Sequence, residues 1–221
     1  DRIASGGEGT TARLWDVDTG ECVHILQGHS GITWSVVYSP KGDQIASTSS
    51  DPTVRLWDVD TGECVHTLRG HSDCVNSVMY SPKGDQIASG SKDSTVRLWD
   101  VYTGECIHAL QGHGSTVRSV VYSPKGDRIA SGSEDSTVRL WDVDSGECVH
   151  ILQGHSGTVW SVVYSPEGDR IASASDGKTV RLWDVDTGEC VYTLEGHSYL
   201  VNSVLYSPKG DQIASGSYDS T

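Results

Sequence analysis

Residues 70–111 fall into four short runs of alternating or β-rich character, with no stretch of helical period. Cys74-Val-Asn-Ser-Val-Met-Tyr80 alternates and predicts strand a. Ser81-Pro-Lys-Gly-Asp85 predicts a turn, because Pro fixes φ and Gly accepts positive φ. Gln86–Ser91 predicts strand b, Lys92–Ser94 a tight connection, and Thr95–Val101 strand c. Tyr102–Glu105 predicts a second hairpin turn and Cys106–Leu110 strand d. The same pattern returns along nearly the whole chain.

The return has a fixed step of 42 residues: Trp15-Asp16, Trp57-Asp58, Trp99-Asp100, Trp141-Asp142 and Trp183-Asp184 keep it. So does Gly-His, at His29, His71, His113, His155 and His197. A four-stranded antiparallel unit repeated in this way predicts an all-β propeller of about five blades. The units run 1–27 (strands b-c-d), 28–69, 70–111, 112–153, 154–195, and 196–221 (strands a-b). The Gly-His opening, the Ser-Pro-x-Gly-Asp turn, the Ile-Ala-Ser-Gly-Ser strand and the Asp-x-Thr-Val-Arg-Leu-Trp-Asp run together resemble the WD40 family over the whole chain. The near identity of neighbouring units is similar to the repeat arrays of fungal NACHT–WD receptors of the heterokaryon-incompatibility type, and of related bacterial proteins. That resemblance implies a cytoplasmic sensor within a larger signalling protein, binding proteins or peptides and using no cofactor. It also implies a ring of seven or more blades, of which this chain supplies a segment.

Charge and cysteine narrow the classes. With a net charge of −14, the chain lacks the clustered Lys and Arg of a nucleic-acid surface. No apolar run approaches a membrane span. Five of six cysteines keep the repeat step (Cys22, Cys64, Cys106, Cys148, Cys190) and Cys74 stands apart. None makes a CxxC pair, so neither a zinc site nor a disulfide framework is expected, and free thiols point to a reducing intracellular compartment.

Some residues imitate active sites. His71, a strand-b serine (Ser89 or Ser91), Asp93 and Trp99 hold the ingredients of a nucleophilic triad. Their recurrence in almost every unit instead marks scaffold, since a buried imidazole, carboxylate, hydroxyl and indole each need a partner. The WD40 resemblance implies the same network at His29, Asp51 and Trp57, at His113, Asp135 and Trp141, and at His155 and Trp183. The aspartate is replaced by Gly9 in the first unit and Gly177 in the fifth, so looser or rearranged b–c connections are expected there. Asp16-Val-Asp-Thr-Gly-Glu21 has too few acids for a calcium loop and reads as a hairpin turn. His24, His66, His108 and His150 read as ordinary packing or rim positions, and no metal site is expected.

Recognition is expected where units differ. Superposing them leaves most columns hardly changed and four that change strongly in size, charge or polarity. One reads Glu8, Ser50, Lys92, Glu134, Asp176, Tyr218, and a second Gly31, Asp73, Ser115, Gly157, Tyr199. A third reads Ile32, Cys74, Thr116, Thr158, Leu200, and a fourth Trp34, Asn76, Arg118, Trp160, Asn202. The first three belong to d–a or b–c connections and the fourth lies near the start of strand a; those connections leave a four-stranded blade at one end, so all four converge on one face. The candidate ligand-binding residues are therefore Trp34, Asn76, Arg118, Trp160, Asn202, Asp73, Tyr199, Lys92, Glu134, Asp176 and Tyr218, rich in the residue types that dominate interfaces. Residues 1–11 repeat at 211–221, so strand b occurs at both ends. The competing expectation is a structural module that self-associates through open blade edges to complete its ring.

Overall fold

The computed structural model describes residues 1–219; positions 220 and 221 of the last unit lie outside the described residues. Every element is a strand. β1 (Arg2–Ser5), β2 (Thr11–Asp16) and β3 (Cys22–Gln27) form a three-stranded sheet. Four four-stranded antiparallel sheets follow, each running a-b-c-d in chain order. They are β4 (Thr33–Tyr38), β5 (Gln44–Ser49), β6 (Thr53–Asp58) and β7 (Cys64–Arg69); then β8 (Val75–Tyr80), β9 (Gln86–Ser91), β10 (Val96–Asp100) and β11 (Cys106–Leu110). The next two are β12 (Val117–Tyr122), β13 (Arg128–Ser133), β14 (Val138–Asp142) and β15 (Cys148–Leu152), and β16 (Val159–Tyr164), β17 (Arg170–Ser175), β18 (Val180–Asp184) and β19 (Cys190–Leu194). β20 (Val201–Tyr206) and β21 (Ile213–Ser217) pair as a two-stranded sheet. These are propeller blades, and the a strands of successive blades lie beside one another from β4 to β20.

Strands b and d of the third unit have the bounds the alternation predicts, while strands a and c are shorter. Thr95 belongs to the b–c turn because its N–H donates to Asp93 Oδ1 (3.0 Å). Val101 leaves the ladder because its N–H donates to the a–b turn at Asp85 O (3.0 Å). A bulge between Val75 and Ser77 sets the start of strand a. Gly84, at φ 75°, closes the Ser-Pro-Lys-Gly-Asp turn in a conformation that costs other residues strain.

Blades do not own private cores. Leu56 and Leu68 of one blade pack with Val75, Val78, Tyr80 and Trp99 of the next, and the arrangement recurs at the two following junctions. Burying each such leucine is worth about 1.5–3 kcal/mol. The stack shows its dependence on neighbours at its two ends: Ile45, Ile87 and Ile129 are fully buried, whereas Ile3 is 57 % exposed. Leu152 is buried and its counterpart Leu194 is 41 % exposed.

Candidate functional site

The residues that resemble a catalytic triad are brought together in a buried chain of hydrogen bonds. His71 Nδ1 lies 2.8 Å from Asp93 Oδ2, and His71 Nε2 lies 2.8 Å from Ser89 Oγ. Trp99 Nε1 donates to the same Ser89 oxygen at 2.8 Å. One assignment of protons satisfies all four groups: the imidazole donates through Nδ1, and its Nε2 accepts the serine hydroxyl, whose oxygen accepts the indole N–H. The serine is therefore Ser89 and its equivalents Ser47, Ser131 and Ser173. Ser91 instead binds the d–a loop through Cys74 O (2.8 Å) and receives the Asp93 N–H.

Burial lowers His71 despite the Asp93 charge, so the ring is neutral. Burial alone would raise Asp93, but bonds from Thr95, the Ser72 N–H and His71 hold it at about 2. The same chain joins His29, Asp51, Ser47 and Trp57, and also His113, Asp135, Ser131 and Trp141. Ser89 and its equivalents are wholly buried, and their oxygens already hold an indole N–H. No substrate can reach such a hydroxyl, so this constellation cannot act as a nucleophile.

In the fifth unit the b–c connection differs by its lost carboxylate bonds and not by its backbone path. His155 has Ser173 at 2.7 Å, and Ser173 also receives the Trp183 indole N–H. The turn keeps its backbone path, with Gly177 N–H on Ser175 Oγ and Lys178 at φ 62°, but lacks the bonds that Asp93 accepts from the Ser72 N–H and from Thr95 in the third unit. What changes is the histidine: burial, with the Arg181 charge, lowers it to about 4. Asp176 does not substitute for the missing carboxylate, because it accepts the indole N–H of Trp160.

The variable columns meet at the end of the blades that carries the d–a and b–c connections. Two of them face each other within a blade: Lys92 reaches Asp73 at 3.5 Å, and Ser115 Oγ donates to Glu134 at 3.2 Å. The fourth column ties blades together. Arg118 Nε donates to Glu134 Oε1 (2.9 Å) while its guanidinium lies 4.8 Å from the centre of the Trp160 ring in the next blade. Burial would raise Glu134, but Arg118 and the hydroxyls of Thr116 and Ser115 hold it below the ordinary carboxylate range. Asn76 Nδ2 donates to Val117 O of the following blade at 2.9 Å. Trp34, Tyr199 and Tyr218 are each more than half exposed, and Asn202 is exposed too. Tyr199 and Tyr218 stand in the two columns that face each other, and Tyr218 N–H bonds to Leu200 O. The third column is less available, since Cys74 Sγ contacts Ser50 O of the preceding blade and Thr116 is buried.

Two recurring contacts escape one-dimensional reading. His24, His66, His108 and His150 bond through Nε2 to a c–d turn carbonyl of the next blade, at Asp60, Tyr102, Asp144 and Asp186. Arg55, Arg97, Arg139 and Arg181 lie over their blade's tryptophan and reach the exposed cysteine of strand d. The repetition of these residues was visible, but the partner is 36 residues or one strand away. All six cysteines are free. Among the described residues no group of His, Cys, Asp and Glu is arranged to hold a metal ion, and no helix is long and apolar enough to cross a membrane.

The sequence model for WD40, described as WD domain, G-beta repeat, matches residues 20–58, 62–100, 104–142, 146–184 and 188–221. The first four matched segments run d-a-b-c, taking strand d from one blade and the other three from the next, and the fifth runs d-a-b. Over 40 residues the chain is 45 % identical to the F-box-like/WD repeat-containing protein TBL1X of Mus musculus, a stretch covering 18 % of this chain and 8 % of that protein.

Proposed function

The chain belongs to the WD40 family, and from that membership we propose that it is a recognition scaffold whose d–a/b–c face binds a protein or peptide. A protein-interaction scaffold is the general role of this fold, and the mouse relative is itself named for its WD repeats. One observation carries the finer reading. The strongest changes of size, charge and polarity among the units gather on this one face, where Arg118, Glu134, Trp160 and Asp176 form a linked cluster across two blades. Trp34, Tyr199 and Tyr218 stand exposed on the same face. A fixed polar centre beside exposed aromatic anchors is the anatomy of a specific interface. We place this module in a reducing compartment and in a sensor role within a longer signalling protein, both as part of the same proposal.

Replacing Trp34, Arg118, Trp160 and Tyr218 together by Ala tests it. Loss of captured partner with an unchanged far-ultraviolet spectrum and melting temperature supports the reading, and undiminished capture overturns it. A second reading, self-association through blade faces, is favoured by the exposure of Ile3 and Leu194 where the inner blades bury their counterparts. A molar mass by light scattering that rises with concentration, and is restored to monomer by Ile3→Lys, would support that one.

A further inference from the structure

The net charge of the molecule is not evenly distributed. Of the 30 acids, 21 lie in or beside the a–b and c–d turns, at the end of the blades opposite the face just described. Only 7 of the 16 basic residues lie there, so the entire excess of −14 belongs to that end. The opposite face is balanced, through pairs such as Lys92 with Asp73 and Arg118 with Glu134.

At the centre of the acidic end is a funnel of about 430 Å³, formed where the inner strands run into the Ser-Pro turns. Its apolar wall includes Met79, Val121 and Leu205, the last of them 61 % exposed. Tyr80, Tyr122 and Tyr164 also line it, each 6 % exposed or less, and their buried hydroxyls have no hydrogen-bond partner. The acidic ring and the funnel are independent features of one end of the blades: one attracts cations, and the other offers apolar surface.

We propose that the a–b/c–d turn face is a second binding site, for a basic segment of another protein that seats an aliphatic side chain in the tyrosine-lined funnel and lays flanking Lys or Arg residues on the acidic rim. Aliphatic burial supplies affinity, and the rim supplies steering and salt dependence. The site is distinct from the d–a/b–c face, and a failure of either leaves the other standing.

The experiment titrates the whole protein into a fluorescein-labelled, amidated Lys-Lys-Lys-Leu-Lys-Lys-Lys peptide at 150 mM KCl, read by anisotropy. A central Ser in place of Leu is expected to weaken binding about tenfold, the equivalent of one leucine left in water. Reversing Asp60, Asp144 and Asp186 to Lys is expected to weaken it at least about tenfold and to flatten its salt dependence. Leu205→Ser is expected to weaken it about threefold, and Lys83→Glu, a folded variant of the opposite sign, to strengthen it. The Trp34, Arg118, Trp160 and Tyr218 quadruple Ala variant is expected to bind the peptide unchanged. Equal affinity for the Leu and Ser peptides would reduce the site to bulk electrostatics and overturn the proposal. So would binding of the all-Glu counterpart, absence of binding, or loss of binding in the quadruple variant.

Discussion

A single carboxylate separates two kinds of blade. His29, His71 and His113 each donate to an aspartate, while His155 faces Gly177 and has only Ser173 and a long contact to Thr179 (3.5 Å). Gly177→Asp should supply the missing partner. Its Cβ would come within 2.5 Å of Ser156 Oγ, a hydroxyl free to rotate, and the third unit accommodates Ser72 beside Asp93. A gain of about 1–3 kcal/mol at pH 7 is expected from a charge-assisted bond to a buried ring, measured by urea unfolding. The pH dependence has a definite sign. The folded-state pKa of His155 is about 4, below the unfolded value of 6.5, so the protein favours its neutral form. That contribution is complete above pH 6.5 and is lost as pH falls towards 4. The Asp variant should therefore show a shallower loss across this window. An unchanged urea midpoint together with an unchanged pH slope would count against it. In the ordinary blades, Asp51, Asp93 and Asp135 stand at about 2, so their contribution is present above pH 4 and disappears as pH falls from there towards 2.

At the scale of the strand and the blade, one serine oxygen is the junction of the network. Ser89→Ala strips partners from the His71 ring and the Trp99 indole at once, both buried, and should cost about 2–5 kcal/mol. Ser91→Ala, at an equally buried position, removes a bond to Cys74 O, which still accepts the Lys92 N–H, and should cost less, about 1 kcal/mol, so unequal urea midpoints for two serines on one strand check the assignment. The shared cores make a further prediction about neighbours. Leu140→Ala, at a fully buried position packed between the fourth and fifth blades, should cost about 2–5 kcal/mol. It should also raise amide exchange in residues 154–195 as well as in its own blade. Leu194→Ala, at the exposed counterpart of Leu152, should cost under about 1 kcal/mol and leave neighbouring exchange unaltered.

For the molecule as a whole, the one-sided charge has a measurable consequence. Like charges crowded at the turn face oppose compaction, so added salt should stabilise the fold. The melting temperature is expected to rise by a few degrees between 20 and 300 mM KCl, and by less in the Asp60, Asp144, Asp186 to Lys variant. A melting temperature that falls with salt would mean that attractive pairs such as Arg170 with Asp184 outweigh the repulsion.

Much of this was written in one dimension. The alternation, the turn residues and the 42-residue step determine strands, blades and the face on which variable positions gather, because period-2 patterning and hairpin chirality are local properties. The internal alignment also separated recurring residues from changing ones. Which of two strand-b serines takes the histidine, however, depends on the pleat and the bulge, and only the folded blade assigns it. That Arg118 bridges Glu134 of its own blade and Trp160 of the next, that His24 clasps the next turn, and that Tyr80 buries its hydroxyl between blades are facts about neighbouring blades. The collection of almost all the repulsive charge at one end is of the same kind: each turn contributes only a few charges, and their sum acquires a direction only when the blades stack around a common axis. A repeat can specify its own unit from within, but contacts between units depend on distances that no spacing along the chain records.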